Sequence, residues 1–347
     1  MKKAAVVLGA GASFDVHNDT VPVLNPDLRP PVARQLFDAR FWHYRRPYRG
    51  AEVLGAELGR LARDDSAFDL EARLTQYATS SDERTRRHFK DVPPYLRDVL
   101  MHASNEYVPS PTNYINLVRR LLQDGTHEIT FVVLNYDTLL ERALSRYDRS
   151  LTFRNLDEYV TPGRQARVIK IHGSTNWAVS IPGTGRGENQ NIGWERALDQ
   201  FEPSSAPSDQ TLVDERDDTS HGWRHPDNGR FLYPRLTAPL REKTFSCPEE
   251  HTWYLADFLS ACHKFMIIGT SGLDDDLLDV MEEAVTAPCM VQYVNLDEGV
   301  VHANQRFESK IRAFRERGPT APEPQQFRGG LTNYLDTDAL ERLINAD

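Results

Sequence analysis

The sequence predicts an α/β protein: a Rossmann-like parallel sheet with helices on both faces, a helical insertion and no zinc module. Three observations predict it. Five short, β-branched apolar runs, Ala4 to Leu8, Ile129 to Leu134, Arg167 to Ile171, Phe265 to Ile268 and Met290 to Val294, are closely bounded by polar loops. Such runs read as strands buried on both faces, as in a parallel sheet covered by helices. The first run ends in Gly9-Ala10-Gly11-Ala12-Ser13, a turn in which glycine lets the backbone bend tightly and lie close to a ligand. The three cysteines, Cys247, Cys262 and Cys289, are odd in number and widely spaced, with no Cys-x-x-Cys pair, so neither a disulfide framework nor a zinc knuckle is suggested.

Composition bounds the function. A chain of 347 residues, 39% of them hydrophobic, is long enough for one large domain or two ordinary ones with a real core. Only five apolar residues separate Met1-Lys2-Lys3 from Gly9, too few for a signal-peptide core, and no run approaches a membrane span, so a cytoplasmic address is expected. The formal net charge of −10 argues against broad nucleic-acid binding. A local basic patch, Arg84, Arg86, Arg87, His88 and Lys90, reads as a solvated helix face rather than a phosphate contact.

The elements follow in order. After the glycine turn a helix begins, and its amides and dipole make a phosphate-sized site. The fingerprint of a dinucleotide fold is incomplete, since Phe14 stands where a third glycine belongs and no ribose-binding acid stands out downstream. "HNDTVPVLNPDLRPP" reads as a Pro-interrupted loop. More than one crossover's length separates the first two strands, so an inserted helical layer is expected, with helical spacing over 53–62, 68–78 and 114–122. A second insertion, about 175–243, shows no periodicity. Leu277, Leu278, Met281, Ala284 and Val285 form one stripe of a helix whose amino end carries Asp274, Asp275 and Asp276. A helix over 302–314, a Pro/Gly linker in "RGPTAPEPQQFRGG" and a short closing helix over 336–344 complete the chain.

Each later strand ends in polar residues: Asn135 and Asp137 in "LNYD", His172, Ser174 and Asn176 in "IHGSTNW", Gly269, Thr270 and Ser271 in "GTSGLDDD", Asn295 and Asp297 in "VNLD". Ligands of open α/β sheets lie beyond the carboxyl ends of the strands, so these residues are expected to converge on the glycine turn. Each also has a plain structural reading, Asn135 as a helix cap and Asp137 as a first-turn carboxylate.

"GAGAS", "NYD", "KIHGS", "GTS" and "VN", in this order, resemble the bacterial sirtuin-like family, of silent-information-regulator type, that consumes NAD in anti-phage defence. The resemblance spans roughly residues 4 to 300 in short islands. It implies a sirtuin-like NAD-binding domain over 1–317, with a helical insertion at about 32–125 and an irregular one at about 175–243, followed by a linker and short helix over 318–347. It implies that Gly9, Ala10, Gly11, Ala12 and Ser13 carry the NAD pyrophosphate, that Gly269, Thr270 and Ser271 line the phosphates and adenosine ribose, and that Asn295 reaches the adenosine side. Asn135 and Asp137 match the family's Asn-x-Asp beside the nicotinamide ribose and carboxamide, and His172 matches its catalytic histidine. The paired cysteines of sirtuin deacylases are missing after His172, and so is their Gly-Ile-Pro-Asp-Phe-Arg run, which counts against zinc and an acyl-lysine channel.

The expected activity is therefore NAD hydrolysis to nicotinamide and ADP-ribose, with Asn135 and His172 as the catalytic pair and NAD as substrate. The alternatives are an NAD-dependent deacylase or ADP-ribosyltransferase, and a non-catalytic NAD or ADP-ribose sensor. By resemblance the partners are further copies of the chain in a homo-oligomer and a defence protein such as a hexameric translocase ATPase or an Argonaute, or a phage structural protein; no membrane is implied.

Overall fold

The computed structural model describes residues 2–18, 22–65, 67–107, 110–182, 190–202, 210–213, 224–225, 230–240, 245–296, 299–315 and 323–346. Asp297 and most of "DERDDTSHGWRHPDNG" lie outside the described residues. Among the described residues the strands, in chain order, are β1 (Lys2–Leu8), β2 (His127–Val133), β3 (Ala166–Lys170), β4 (Gly173–Pro182), β5 (Gln210–Leu212), β6 (Arg224–His225), β7 (Arg230–Leu236), β8 (Lys264–Ile268), β9 (Met290–Asn295) and β10 (Gln325–Arg328). The chain divides into two compact units, one of 1–30, 104–172 and 247–347, the other of 31–103 and 173–246.

The first unit holds a six-stranded sheet in the order β10-β9-β8-β1-β2-β3. Every pairing is parallel. The five apolar runs form five of these strands. All residues of β3 and β8 are buried, so both faces of the sheet are covered by helices, as continuous apolar strands require. The covering helices include Thr112–Leu122, Leu139–Tyr147, Glu249–Ser260, Asp275–Ala284 and Gly299–Lys310. The first of these, expected in the inserted layer, belongs to the sheet unit: Tyr114, Leu117, Val118, Leu121 and Leu122 are buried along it at helical spacing.

Two expectations for the carboxyl end change. The segment expected as linker contains β10, an edge strand paired to β9 from Gln325↔Gln292 to Arg328↔Asn295. Two helices follow, Gly330–Leu335 and Ala339–Asn345, in place of one over 336–344. Phe327 and Tyr334 pack edge to face at 5.0 Å, and Tyr334 donates to Gln292 Oε1 at 2.6 Å. Thr332 ties this segment back to the first helix: its backbone N–H reaches Asp15 Oδ2 at 2.9 Å and its hydroxyl reaches Asp15 Oδ1 at 2.7 Å. Asn113 Nδ2 donates to both the Asp15 carbonyl (2.7 Å) and Thr332 Oγ1 (2.8 Å). A Pro/Gly-rich stretch reads as linker because the apolar residues that dock it are few and widely spaced.

The second unit contains a four-stranded sheet, β5-β4-β7-β6, all antiparallel. The region read as irregular therefore carries β4 to β7 and a helix over Gln190–Gln200. β5 and β6 are too short to alternate, and β4 and β7 are buried over consecutive residues rather than every second one, which is why the sequence shows no period there. Val179, Ile181, Trp194, Leu198 and Tyr233 form its apolar cluster. The other helices are Arg49–Asp64, Leu70–Ala78, Glu83–Phe89 and Val92–Glu106. The basic patch is not merely a solvated face: Arg87 pairs with Glu195 and Asp199, and Lys90 Nζ donates to the carbonyls of Leu198 (3.1 Å) and Phe201 (2.6 Å).

Thr332→Val keeps the shape of the carboxyl-terminal clamp and removes its hydroxyl, leaving Asp15 Oδ1 and one Asn113 donor without that partner. The expected cost is about 1–3 kcal/mol, read as a lower denaturant midpoint at unchanged slope; an unchanged midpoint refutes the clamp.

Candidate functional site

Register places the site. Leu8 lies opposite Val133 on one side and Ile268 on the other, Val133 lies opposite Lys170, and Ile268 lies opposite Val294. These five residues form one row across the sheet. The chain leaving the row carries Gly9 to Ser13, Asn135 and Asp137, His172, Gly269 to Ser271, and Asn295. The strand order reverses between β8 and β1, the position at which open parallel sheets present a crevice. Ser174 and Asn176 lie on β4, in the antiparallel sheet of the second unit.

The glycine turn and the Gly269 loop are built into each other. Gly9 donates to the Ile268 carbonyl at 2.9 Å, Gly11 donates to the Gly269 carbonyl at 2.8 Å, and Gly269 donates to the Val294 carbonyl at 2.9 Å. A Cβ on Gly11 would lie 2.9 Å from both Gly269 Cα and Gly269 O. Gly269 sits at φ +67°, and a Cβ there would lie 2.1 Å from the Ala12 nitrogen. The glycines thus answer first to the approach of two backbones, where the sequence suggested the approach of a pyrophosphate. The short helix Ala10–Phe14 has Gly9 as its cap and no acidic residue in its first turn, so no first-turn carboxylate offsets the positive end of its dipole.

The polar side chains divide into two groups. Asn135 Nδ2 donates to the Gly9 carbonyl at 2.9 Å and to Ser13 Oγ at 2.8 Å, and Ser13 Oγ meets Tyr114 Oη at 2.9 Å. All three side chains are buried, and burial pushes the Tyr114 hydroxyl well above its ordinary range, so it stays neutral. Asp137 Oδ1 accepts from the Leu139 N–H at 3.1 Å, the first-turn role foreseen as the plain reading. Asn295 Nδ2 donates to the Thr270 carbonyl at 2.8 Å, and Thr270 Oγ1 accepts from the Gly272 N–H at 3.1 Å, closing the loop that ends in the exposed Ser271. These groups hold the strand ends together.

His172 differs. It follows β3 by two residues, is 2% exposed, and its Nε2 is hydrogen-bonded to Asp274 Oδ2. Its Nδ1 is buried with no hydrogen-bond partner among the described residues. Asp274 also caps the helix Asp275–Ala284, accepting from the Leu277 N–H at 3.1 Å. Burial, reinforced by the Asp274 charge, raises the Asp276 carboxyl above its usual range. An imidazole fixed by a carboxylate on one nitrogen is a proton acceptor at the other.

Sequence reasoning saw Asp274 as a helix-dipole carboxylate and missed its contact with His172, 102 residues away. Tyr114 enters the sequence reading only as the start of a segment with helical spacing. Arg29 was also missed: its guanidinium lies 4.3 Å from the centroid of the Phe14 ring, the residue that replaces the third glycine. Among the described residues no group of three or more His, Cys, Asp or Glu is placed to hold a metal ion. Cys247, Cys262 and Cys289 are buried, and burial pushes the thiols of the last two up to about 12. No helix among the described residues is long and apolar enough to cross a membrane.

Gly269→Ala tests the two-backbone constraint, with Gly125→Ala as control, since Gly125 has nearly the same φ, +65°, and open space around its Cβ position. The control carries only the left-handed penalty, about 1–2 kcal/mol. Gly269→Ala is expected to cost clearly more or to prevent folding; equal costs in denaturant titration refute the constraint.

No family model matches the chain, and no curated protein matches it. Solved structures do. One described as "Structural Basis for the Mechanism and Regulation of Sir2 Enzymes" is 16% identical, with 99% of this chain and 94% of that chain covered and a TM-score of 0.40. A second, "Sir2 bound to acetylated peptide", is 12% identical over 99% of this chain and 94% of that one, at a TM-score of 0.40. A third, "Sir2-p53 peptide-NAD+", is 13% identical over 98% and 92%, at 0.39.

Proposed function

We propose that the chain is an NAD glycohydrolase, cleaving the nicotinamide–ribose bond with water as acceptor to release nicotinamide and ADP-ribose, and that it serves NAD depletion in bacterial anti-phage defence. The observation that carries this reading is His172: buried at the strand ends, anchored to Asp274 through Nε2, with Nδ1 lacking a partner among the described residues. The order of the motifs supplies the substrate.

The chemistry asks little of an acid. Nicotinamide is bonded to ribose through a cationic ring nitrogen, so the C–N electron pair leaves with a neutral molecule. Water attacks the ribose carbon as that bond breaks, and its proton passes to His172 Nδ1 and on to solvent. Asp274 holds the imidazole and offsets the charge it gains. The remaining need is position: the pyrophosphate against the amino end of Ala10–Phe14 and the Gly269 to Ser271 loop, the carboxamide beside Asp137, and the attacking water beside Asn135. Asn295 closes the adenosine side. One observation favours the sensor instead: Asn135 spends its amide donors on Gly9 and Ser13.

Nicotinamide release from purified protein and NAD, with and without acylated peptide, separates the readings. Release without peptide supports hydrolysis, release only with peptide supports deacylation, and calorimetric NAD binding without release supports sensing. His172→Ala and Asn135→Ala are each expected to lower release by about 10²–10⁴-fold with NAD affinity largely kept. The double variant is expected to be little worse than either single, because groups acting on one transition state are strongly non-additive. Parental rates in both single variants refute the catalytic pair.

Elemental analysis supplies a further check. The reading expects less than one zinc per chain and a melting temperature indifferent to chelator; one tightly held zinc per chain refutes the metal-free site.

A further inference from the structure

Beneath the turn that carries Asn135 and Asp137 lies a charged side chain that the mechanism above does not use. Lys170, the last residue of β3 and two residues before His172, is fully buried. Its Nζ donates to the carbonyl of Asp137 and, at 3.4 Å, to the carbonyl of Tyr136. Its counter-charge is Glu141, 3.1 Å away on the helix Leu139–Tyr147 and 11% exposed at its side chain. Glu141 Oε1 also accepts from the Tyr159 hydroxyl at 3.3 Å.

This arrangement is costly as a source of stability. Removing an ammonium and a carboxylate from water carries a desolvation penalty that their attraction often fails to exceed, and well-packed neutral replacements are frequently as stable. What the ammonium supplies is several donors at one point. Two of them meet consecutive carbonyls in the segment 134–138, which has neither helix nor strand geometry and is held at its ends, where Leu134 donates to the Leu8 carbonyl at 2.9 Å and the Thr138 carbonyl accepts from the Arg142 N–H at 3.0 Å. That segment bears Asn135 and also Asp137, whose carboxylate accepts from the Leu139 N–H.

We propose that Lys170, neutralised by Glu141, is a positioning residue that clamps the Tyr136–Asp137 carbonyls and so sets where Asn135 and Asp137 stand at the candidate site. The consequence for turnover rests on the NAD-cleavage reading; the consequence for the turn does not. The same strand end therefore presents His172 and, through Lys170, fixes the neighbouring turn.

The test is the double variant Lys170→Met with Glu141→Gln, which removes both charges, nearly preserves volume and retains an acceptor for Tyr159. Three measurements are made: melting temperature, amide hydrogen exchange, and NAD turnover. The melting temperature is expected to stay within a few degrees of the parent. Exchange is expected to quicken at least tenfold at the amides of 136–139 and to remain parental in β1 and β8. Turnover is expected to fall tenfold or more in kcat with KM nearly unchanged, since a small misplacement near reacting groups costs rate more than binding. Parental exchange in 136–139 overturns the proposal. So does exchange quickened equally through the sheet with a collapsed melting temperature, because the pair is then a general core element. Quickened local exchange with parental kcat overturns its link to the site. If the parent itself releases no nicotinamide, the NAD-cleavage reading fails, and local exchange alone decides the clamp.

Discussion

The candidate site depends on how closely two backbones pass. Gly11 donates to the Gly269 carbonyl at 2.8 Å, and neither Gly11 nor Gly269 has room for a Cβ. Because β1 and β8 are parallel neighbours in register, their following loops leave the sheet side by side, and only glycine lets them touch. From that contact the rest follows. The Gly9 carbonyl becomes available to Asn135, Ser13 is brought between Asn135 and Tyr114, and the Gly269 loop runs on through Thr270, held by Asn295, to Asp274 beside His172.

The site is a set of polar side chains that mostly satisfy one another, with one exception. Asn135, Ser13, Tyr114, Asp137, Thr270 and Asn295 all find protein partners, as buried polar groups must. His172 Nδ1 finds none among the described residues. A buried nitrogen without a partner is paid for elsewhere in the fold, and here the carboxylate of Asp274 holds the ring from its other side.

Much of this was legible in the chain. The five apolar runs stand as strands of one parallel sheet because residues buried on both faces leave a continuous apolar signature. The helix after Asp274 and those near 53–62, 68–78 and 114–122 were visible through their 3.6-residue period, with ends shifted by a few residues, as in Arg49–Asp64 for the first. The polar residues at the strand ends were legible as candidates because they follow apolar runs. The antiparallel sheet of the second unit was not, since β5 and β6 are too short to alternate and β4 and β7 are buried over consecutive residues, and β10 was hidden in a Pro/Gly-rich stretch.

By itself, the sequence determined what its periods and turns encode: a doubly covered parallel sheet, glycine at the first strand end, and a polar residue after each strand. Tertiary structure decided what depends on distance across the fold. It gave the glycines a backbone to pack against, joined 31–103 with 173–246 into one unit, docked Thr332 on Asp15, and paired His172 with Asp274 and Lys170 with Glu141. The physical reason is that local sequence specifies dihedral preference and which face is apolar. Partner identity for a buried polar group is set by which strand ends the sheet order makes neighbours, and that order appears only when the chain is folded.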